Sequence, residues 1–395
     1  MSEWRKCPIG NVVTLRQGFA INAKSKHYMS DTPTRLPLLR IADMKSGTKE
    51  VFVKEDIPQR FIASNEDIIY TPTGNVGLVF RNNYGVVHNN CFTVTPQDER
   101  ELSRDYLYYA LKDKNFYDKA NALARGAAQP DLPHSSFCSI EISFPSLSKQ
   151  HCIASTLSRY DSLIDNYQKQ IKLLEEAAQR LYKEWFVNLR FPGHENTKIV
   201  DGVPEGWEKK RLSDIGNVIT GKTPSTSHKE YYGGTIPFIT IPDMHGLFPE
   251  NSQYLTDVGA NMQAKKFIPK GSIIVSCIGT AGLVCIAKEI CQTNQQINSL
   301  ILNDIELLGY MYFTLCGLKG HLNNIGSNGA TMTNVSKSKF ESIETMIPTT
   351  RLYKEFNDIC STIFNTIKSL STQLRLLTES RDRLLPKLLS GEIEV

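Results

Sequence analysis

The sequence predicts an α/β (α+β) fold in two pseudo-symmetric copies: two globular heads separated by two long helices that pair as an antiparallel coiled coil. Three observations predict it. Short motifs recur in the same order about 203 residues apart, each copy opens with short β-rich runs broken by Gly, Pro and Asn, and each closes with a long apolar stripe at helical spacing. A period that long excludes a solenoid and points to duplication of a whole domain.

Trp4 opens a stretch containing Ile9-Gly10-Asn11-Val12-Val13, and Trp207 opens its counterpart, Ile215-Gly216-Asn217-Val218-Ile219. Leu36-Pro37-Leu38-Leu39 and the Asp43-Met44 that follows match Ile236-Pro237-Phe238-Ile239 and Asp243-Met244. Asp67-Ile68-Ile69-Tyr70 with Gly74 and Gly77 matches Ser272-Ile273-Ile274-Val275 with Gly279 and Gly282. Gly126-Ala127-Ala128-Gln129 answers Gly329-Ala330-Thr331-Met332, and the run from Ile140 to Pro145 answers that from Ile343 to Pro348. The short apolar runs between turn residues read as strands. Helical stretches are expected near 104–123 and, in the second copy, near 305–321.

Each copy then runs into a helix. In the first, Ile153, Leu157, Tyr160, Ile164, Tyr167, Ile171, Leu174, Ala178, Leu181 and Trp185 alternate spacings of four and three. The second repeats this as Phe356, Cys360, Ile363, Ile367, Leu370, Leu374, Leu377, Arg381, Leu384 and Leu388, with Arg381 breaking the stripe. Sustained four-three spacing is the signature of a coiled-coil seam, drawn here chiefly through Leu157, Ile164, Ile171, Leu174 and Leu181 against Ile363, Ile367, Leu370, Leu374, Leu377 and Leu384. At ~1.5 Å per residue a helix of about 38 residues spans roughly 57 Å. The expected division is a first head at 1–148, a central helix at 149–190, a polar linker at 191–206, a second head at 207–350 and a C-terminal helix at 351–391.

Composition narrows the function. The 395 residues are 41% hydrophobic and 22% charged, enough to bury real cores. A net charge of +4 permits a polyanionic partner without demanding one, so the positive charge for such a partner must be placed locally. Nine cysteines without a CxxC pair argue against a disulfide framework and a zinc site, and metal ligands are expected to be absent. No apolar run reaches the ~18 residues of a membrane span, and Met1-Ser2-Glu3-Trp4-Arg5-Lys6 lacks the pattern of a secretory signal. The expected setting is the reducing cytoplasm. A duplicated chain is the single-chain version of a symmetric dimer, and duplex DNA is a ligand with matching two-fold symmetry.

Several further motifs accompany the duplication. They are Asp201-Gly202-Val203-Pro204-Glu205-Gly206-Trp207, Leu212-Ser213-Asp214-Ile215, Thr220-Gly221-Lys222-Thr223-Pro224-Ser225, the run from Tyr231 to Phe238, Asn294-Gln295-Gln296-Ile297-Asn298, and the run from Ser380 to Gly391. In this order, and with the duplication, the chain resembles the specificity subunit of a Type I restriction-modification enzyme from Trp4 to Glu392. The resemblance implies that each head is a target recognition domain reading one half of a split double-stranded DNA sequence. It implies that the helices set the spacing and dock two methyltransferase subunits, with restriction subunits joining them. S-adenosylmethionine, ATP and Mg are then expected on the partner subunits, with no cofactor and no catalytic residue in this chain. The first copy departs from the pattern: it has no Gly-Lys-Thr-Pro-Ser, and Asn89-Asn90-Cys91 is aligned with Asn294-Gln295-Gln296.

Candidate DNA contacts lie in three loops of each head. After the Ile-Gly-Asn stretch come Lys24, Lys26 and His27 in the first copy, and Lys222, Thr223, Ser225, Thr226, His228 and Lys229 in the second. Lysines and hydroxyls suit phosphate contact, which orients without specifying. The glycine loops carry Thr73 and Asn75, and Thr280. The amide clusters, His88, Asn89 and Asn90 with Asn294, Gln295 and Gln296, offer groups that pair with an adenine edge, or else cap neighbouring backbone. Arg125 and Gln129, with Asn328 and Thr331, complete the set.

The run from Gly216 to Thr223 fits the phosphate-binding pattern GxxxxGK[ST]. That mechanism needs a buried strand before the loop and a helix after it. Glu208-Lys209-Lys210-Arg211 and Pro224-Ser225-Thr226-Ser227 provide neither, so nucleotide hydrolysis is not expected. No GxGxxG, HExxH, GxSxG or Asn-Pro-Pro-Tyr motif occurs. The alternatives are a stand-alone DNA-modifying enzyme and a tandem scaffold for protein or glycan.

Overall fold

The structure, a computed structural model, describes residues 4–126, 128–326 and 333–394. It divides into two compact units, residues 1–166 with 375–395 and residues 167–374. The division cuts across the expected head-and-helix boundaries, because each unit gathers one head and a stretch of both long helices.

In the first unit a four-stranded antiparallel sheet runs in the order Val13–Gln17, Phe92–Pro96, Ile68–Tyr70, Val79–Phe80. The uninterrupted run Ile68-Ile69-Tyr70 predicts burial on both faces. Ile68 and Tyr70 pack with Phe92, Tyr106, Leu107 and Phe137, while Ile69 faces Leu39 and Val87 of a second, five-stranded sheet. In that second sheet Leu36–Leu39 runs parallel to Gly85–Val87. Arg5–Pro8 pairs with Glu141–Phe144, the strand that leads into the first long helix.

The second unit repeats this plan. Its four-stranded sheet runs Gly216–Thr220, Ile297–Leu302, Ile273–Ser276, Val284–Ile286. Ile273 and Val275 face the helices and Ile274 faces Ile239 and Cys285. Tyr232–Ile239 lies parallel to Gln292–Thr293, and Glu208–Arg211 pairs with Glu344–Ile347. The predicted duplication is therefore one of topology as well as of motif.

Two local readings are refined. The helical stretch expected at 104–123 is two helices, Arg104–Lys112 and Lys114–Leu123, separated by Asp113 in extended conformation. Aspartate competes with its own backbone for hydrogen bonds and so favours helix ends. The second copy likewise has Leu308–Gly317 and Lys319–Gly326. Within the polar linker, Ile199–Val200 and Val203–Pro204 form a hairpin whose turn is Asp201-Gly202, both at positive φ (51° and 79°). Asp-Gly is a favoured pair for such a two-residue turn.

The long helices are Leu147–Tyr182, closed by a π-helical turn at Lys183–Val187, and Thr350–Ser390. They run antiparallel within each unit. In the first, Lys149 pairs with Glu394 (3.5 Å) and Asp161 with Arg381 (2.7 Å). In the second, Trp185 packs on Phe356 with ring centroids 5.7 Å apart, while Ala178 and Phe364 line one cavity. Leu157, Ile164, Ile367 and Leu370 of the stripe are buried; Ile171, Leu174, Leu181, Ile363, Leu374, Leu377 and Leu384 are half-buried. The stripes also floor the heads. Ile153, Leu157, Leu385, Leu388 and Leu389 belong to the first head's core, and Phe356, Cys360 and Phe364 to the second's. Each such side chain contributes about 1.5–3 kcal/mol when fully buried. Arg381, the break in the stripe, donates to Asp161, whose other oxygen accepts the Tyr109 hydroxyl (2.8 Å).

Candidate nucleic-acid interface

Strand register brings the three predicted loops of each head to one edge. In the first head Phe92 lies opposite both Gln17 and Tyr70. The segments after Gln17, before Phe92 and after Tyr70 therefore leave the same end of the sheet. In the second head Asn298 lies opposite Thr220 and Val275, with the same result.

The first loop and the amide cluster are locked by close backbone approach. Gly18 donates to Cys91 O (3.1 Å) and Phe19 to Val87 O (2.6 Å); Gly221 donates to Ile297 O (3.0 Å) and Lys222 to Thr293 O (2.9 Å). A Cβ at Gly18 would collide with the His88 carbonyl oxygen, and one at Gly221 with that of Asn294. Only glycine fits. These bonds align His88-Asn89-Asn90 with Asn294-Gln295-Gln296, one residue earlier than the sequence alone suggests. The side chains agree: His88 Nδ1 accepts the Asn90 amide (3.2 Å) as Asn294 Oδ1 accepts that of Gln296 (3.1 Å).

These bonds assign roles within the cluster. Asn294 is buried and also donates to Gln296 Oε1 (3.2 Å), so its amide shapes the turn. Gln295 is exposed and accepts from the Thr223 hydroxyl (2.5 Å), joining the first loop to the cluster. Asn89 and Asn90 are half-buried, and Gln17 donates to Asn89 O (2.5 Å). Burial, followed by the nearby Arg40 charge, holds the His88 imidazole below its ordinary pKa of 6.5. It is thus neutral at pH 7, as its acceptor role requires.

The glycine loop of the first head is tied to the segment before the exit strand. Thr73 donates to Asp131 Oδ1 (2.6 Å), Gly74 to Pro130 O (2.8 Å), and Arg125 and Asp131 exchange backbone bonds of 2.8 Å. Thr73 and Arg125 thus meet at Asp131, with Asn75 in the same glycine loop and Gln129 exposed two residues before Asp131. In the second head Ile278–Gly279 pairs with Thr333–Asn334, leaving Thr280 exposed beside that pairing. Asn328 and Thr331 lie outside the described residues.

Charge is local, as the modest net charge required. Lys24, Lys26 and His27 sit on an exposed turn held by Asn22, whose Oδ1 accepts the Lys24 amide (2.9 Å). Lys222, Lys229, Ser225 and Thr226 are exposed too, with Ser225 and Ser227 hydroxyls 2.7 Å apart and His228 on Glu230 (2.8 Å). Among the described residues no ion pair reaches Lys24, Lys26, Arg125, Lys222 or Lys229. Unpaired cations on loops at one edge suit a phosphate backbone.

Gly216–Thr220 is a strand, but no helix follows it directly: the chain continues without regular structure to a single helical turn at Lys229–Tyr231. The Gly221 and Lys222 amides are already bonded to Ile297 and Thr293, so this is no phosphate cradle. Among the described residues no three His, Cys, Asp or Glu side chains are grouped to hold a metal ion. Nor is any helix among them long and apolar enough to cross a membrane. Sequence reasoning missed Gln17, Asp131 and Asn298. Asn298 is buried, accepts from Thr220 (2.6 Å) and donates to Val335 O (3.3 Å), fixing two loop exits at once. Gln17 precedes Gly18 as Thr220, the partner of Asn298, precedes Gly221; the paired glycines are the signal that would have found Gln17.

A doubled head of this topology on antiparallel helices is the plan of a known class. The profile of the Type I restriction modification DNA specificity domain matches residues 1–176 and 204–379, and the chain belongs to that family. It is similar to the Type I restriction enzyme HindI specificity subunit of Haemophilus influenzae, 29% identical over 475 aligned positions that span all of both chains. The MjaIX specificity subunit of Methanocaldococcus jannaschii is 28% identical over 337, covering 83% of this chain and 78% of that one. Among solved structures, the crystal structure of a Type I restriction-modification S subunit from M. genitalium shares the fold. Its TM-score is 0.66 at 19% identity, over 98% of this chain and 96% of that one.

Proposed function

We propose that this chain is the DNA-reading subunit of a Type I restriction-modification complex, each head engaging one half of a split target through its loop edge. The observation that carries this reading is that both heads deliver the same three loops, with unpaired cations, to the same end of the same sheet. Lys24, Lys26, Lys222, Lys229 and Arg125 would hold phosphates. Asn89, Asn90, Gln295, Gln296 and Thr280 would meet base edges, with Thr73 and Asn75 at the glycine loop. The long helices would set the spacer and dock two methyltransferase subunits, with restriction subunits joining. S-adenosylmethionine, ATP and Mg would act on those partners in the cytoplasm, and this chain would contribute recognition rather than catalysis.

The test is co-expression with candidate methyltransferase subunits and genome-wide mapping of methylated sites. A bipartite motif with a fixed gap is expected, and one heptad inserted in either long helix should change or abolish the gap preference. A contiguous motif, or a gap indifferent to the insertion, would sink the proposal. Methyl transfer by the purified chain alone would favour a stand-alone enzyme instead.

A further inference from the structure

A cavity of about 270 Å³ opens in the second unit, lined by Ala178, Leu247, Tyr312, Phe313, Phe364 and the carboxylate-bearing Glu175. The duplication says what is missing there. The helix stripes align Ala178 with Arg381 and Phe364 with Asp161. Tyr106 and Tyr310 both donate to a carbonyl of the strand before the long helix (Ser143 and Met346), which aligns Tyr109 with Phe313. So where the first unit holds a carboxylate bridging a guanidinium and a phenol, the second lines its cavity with a methyl group and two phenyl rings.

The vacated space keeps features that suit a cation. Phe364 lies 5.8 Å from Tyr312 and 6.2 Å from Phe313, ring to ring, so three aromatic groups share the site. Glu175 stands one helical turn before Ala178; its Oε1 accepts the Leu247 amide (3.0 Å), and among the described residues no ion pair reaches it. Aromatic faces attract cations, and a guanidinium stacks on rings while pairing with a carboxylate.

We propose that this cavity binds one planar organic cation, a guanidinium or amidinium group, stacked on its aromatic walls and paired with Glu175. The group could come from a free small molecule or from an arginine of a partner chain. The site does not depend on the DNA-reading function. Benzamidine and toluene, matched in ring size, are the probes, titrated into the full chain by calorimetry and by NMR.

Saturable benzamidine binding is expected, with toluene at least tenfold weaker. Glu175→Gln, which keeps an acceptor for the Leu247 amide, should weaken benzamidine at least tenfold. Ala178→Arg, which supplies the cation from the chain itself, should do the same. Equal binding of toluene, no saturable binding, or an unchanged Glu175→Gln variant would overturn the proposal. If Ala178→Arg does not fold, Glu175→Gln decides alone. Repeating the titration on a complex with methyltransferase subunits, which rests on the function proposed above, separates the sources. Loss of the benzamidine site there points to a partner's arginine, and its retention to a free ligand.

Discussion

Arg381 interrupts an otherwise apolar stripe, and the structure gives it a use. Its guanidinium and the Asp161 carboxylate are only 19% and 23% exposed, and the guanidinium is shared with Asp382 (2.8 Å). Asp161→Ala should destabilise the first unit by about 1–3 kcal/mol, because it removes one of the half-buried cation's two carboxylates and the acceptor of the Tyr109 hydroxyl. Replacing the pair by the second unit's residues, Asp161→Phe with Arg381→Ala, should recover most of that loss in urea unfolding. A double variant no more stable than the single one would show that the pair is not the cause.

His88 makes a prediction about pH. Its pKa is depressed in the folded state, so folding disfavours its protonated form. The turn's stability is therefore complete above the unfolded pKa of about 6.5 and declines as pH falls through that value toward the folded one. Duplex binding followed from pH 8 to pH 5 should weaken over that window beyond the loss shown by a His88→Asn variant. Asparagine reproduces the Asn294 acceptor without titrating. At Lys222, alanine should weaken binding to all duplex sequences alike. It should lower the salt slope by about 0.9, the amount one phosphate contact contributes. ATPase activity lost on that substitution would contradict the bonded Gly221 and Lys222 amides and the lack of a helix directly after them.

The elements show what sequence could and could not reveal. Strand runs such as Ile68-Ile69-Tyr70 and Ile273-Ile274-Val275 were legible because burial on both faces leaves an unbroken apolar string. The long helices were legible because their period is sustained over ten stripe positions. The Asp113 break was not, since a single aspartate within an apolar periodicity reads equally as a surface position. The one-residue shift between the amide clusters was hidden too, because it is set by which carbonyl each glycine approaches. Asp161 escaped notice because it lies beside the stripe, and its partner is known only once the helices are paired. Gly18→Ala and Gly221→Ala follow from that close approach: each should cost about 2 kcal/mol by overpacking and displace the loop edge. DNA binding should fall sharply while far-UV circular dichroism stays unchanged; binding retained in both would mean the approach is not needed.

At the scale of the molecule, the order of synthesis and the order of folding part company. The floor under the first head includes Leu385, Leu388 and Leu389, translated long after the strands they cover. A ribosome that has finished the first head's sheets still holds a domain open at its base. Residues 167–374 make the second unit without that late segment. A premature stop just past Leu374 would therefore have an inverted polarity: the distal lesion would ruin the proximal head and spare the nearer one. Three lost leucines amount to about 5–9 kcal/mol of burial, comparable to the whole stability of an ordinary domain. Nascent chains stalled at that point should accordingly show a protease-resistant second unit and a protease-sensitive first.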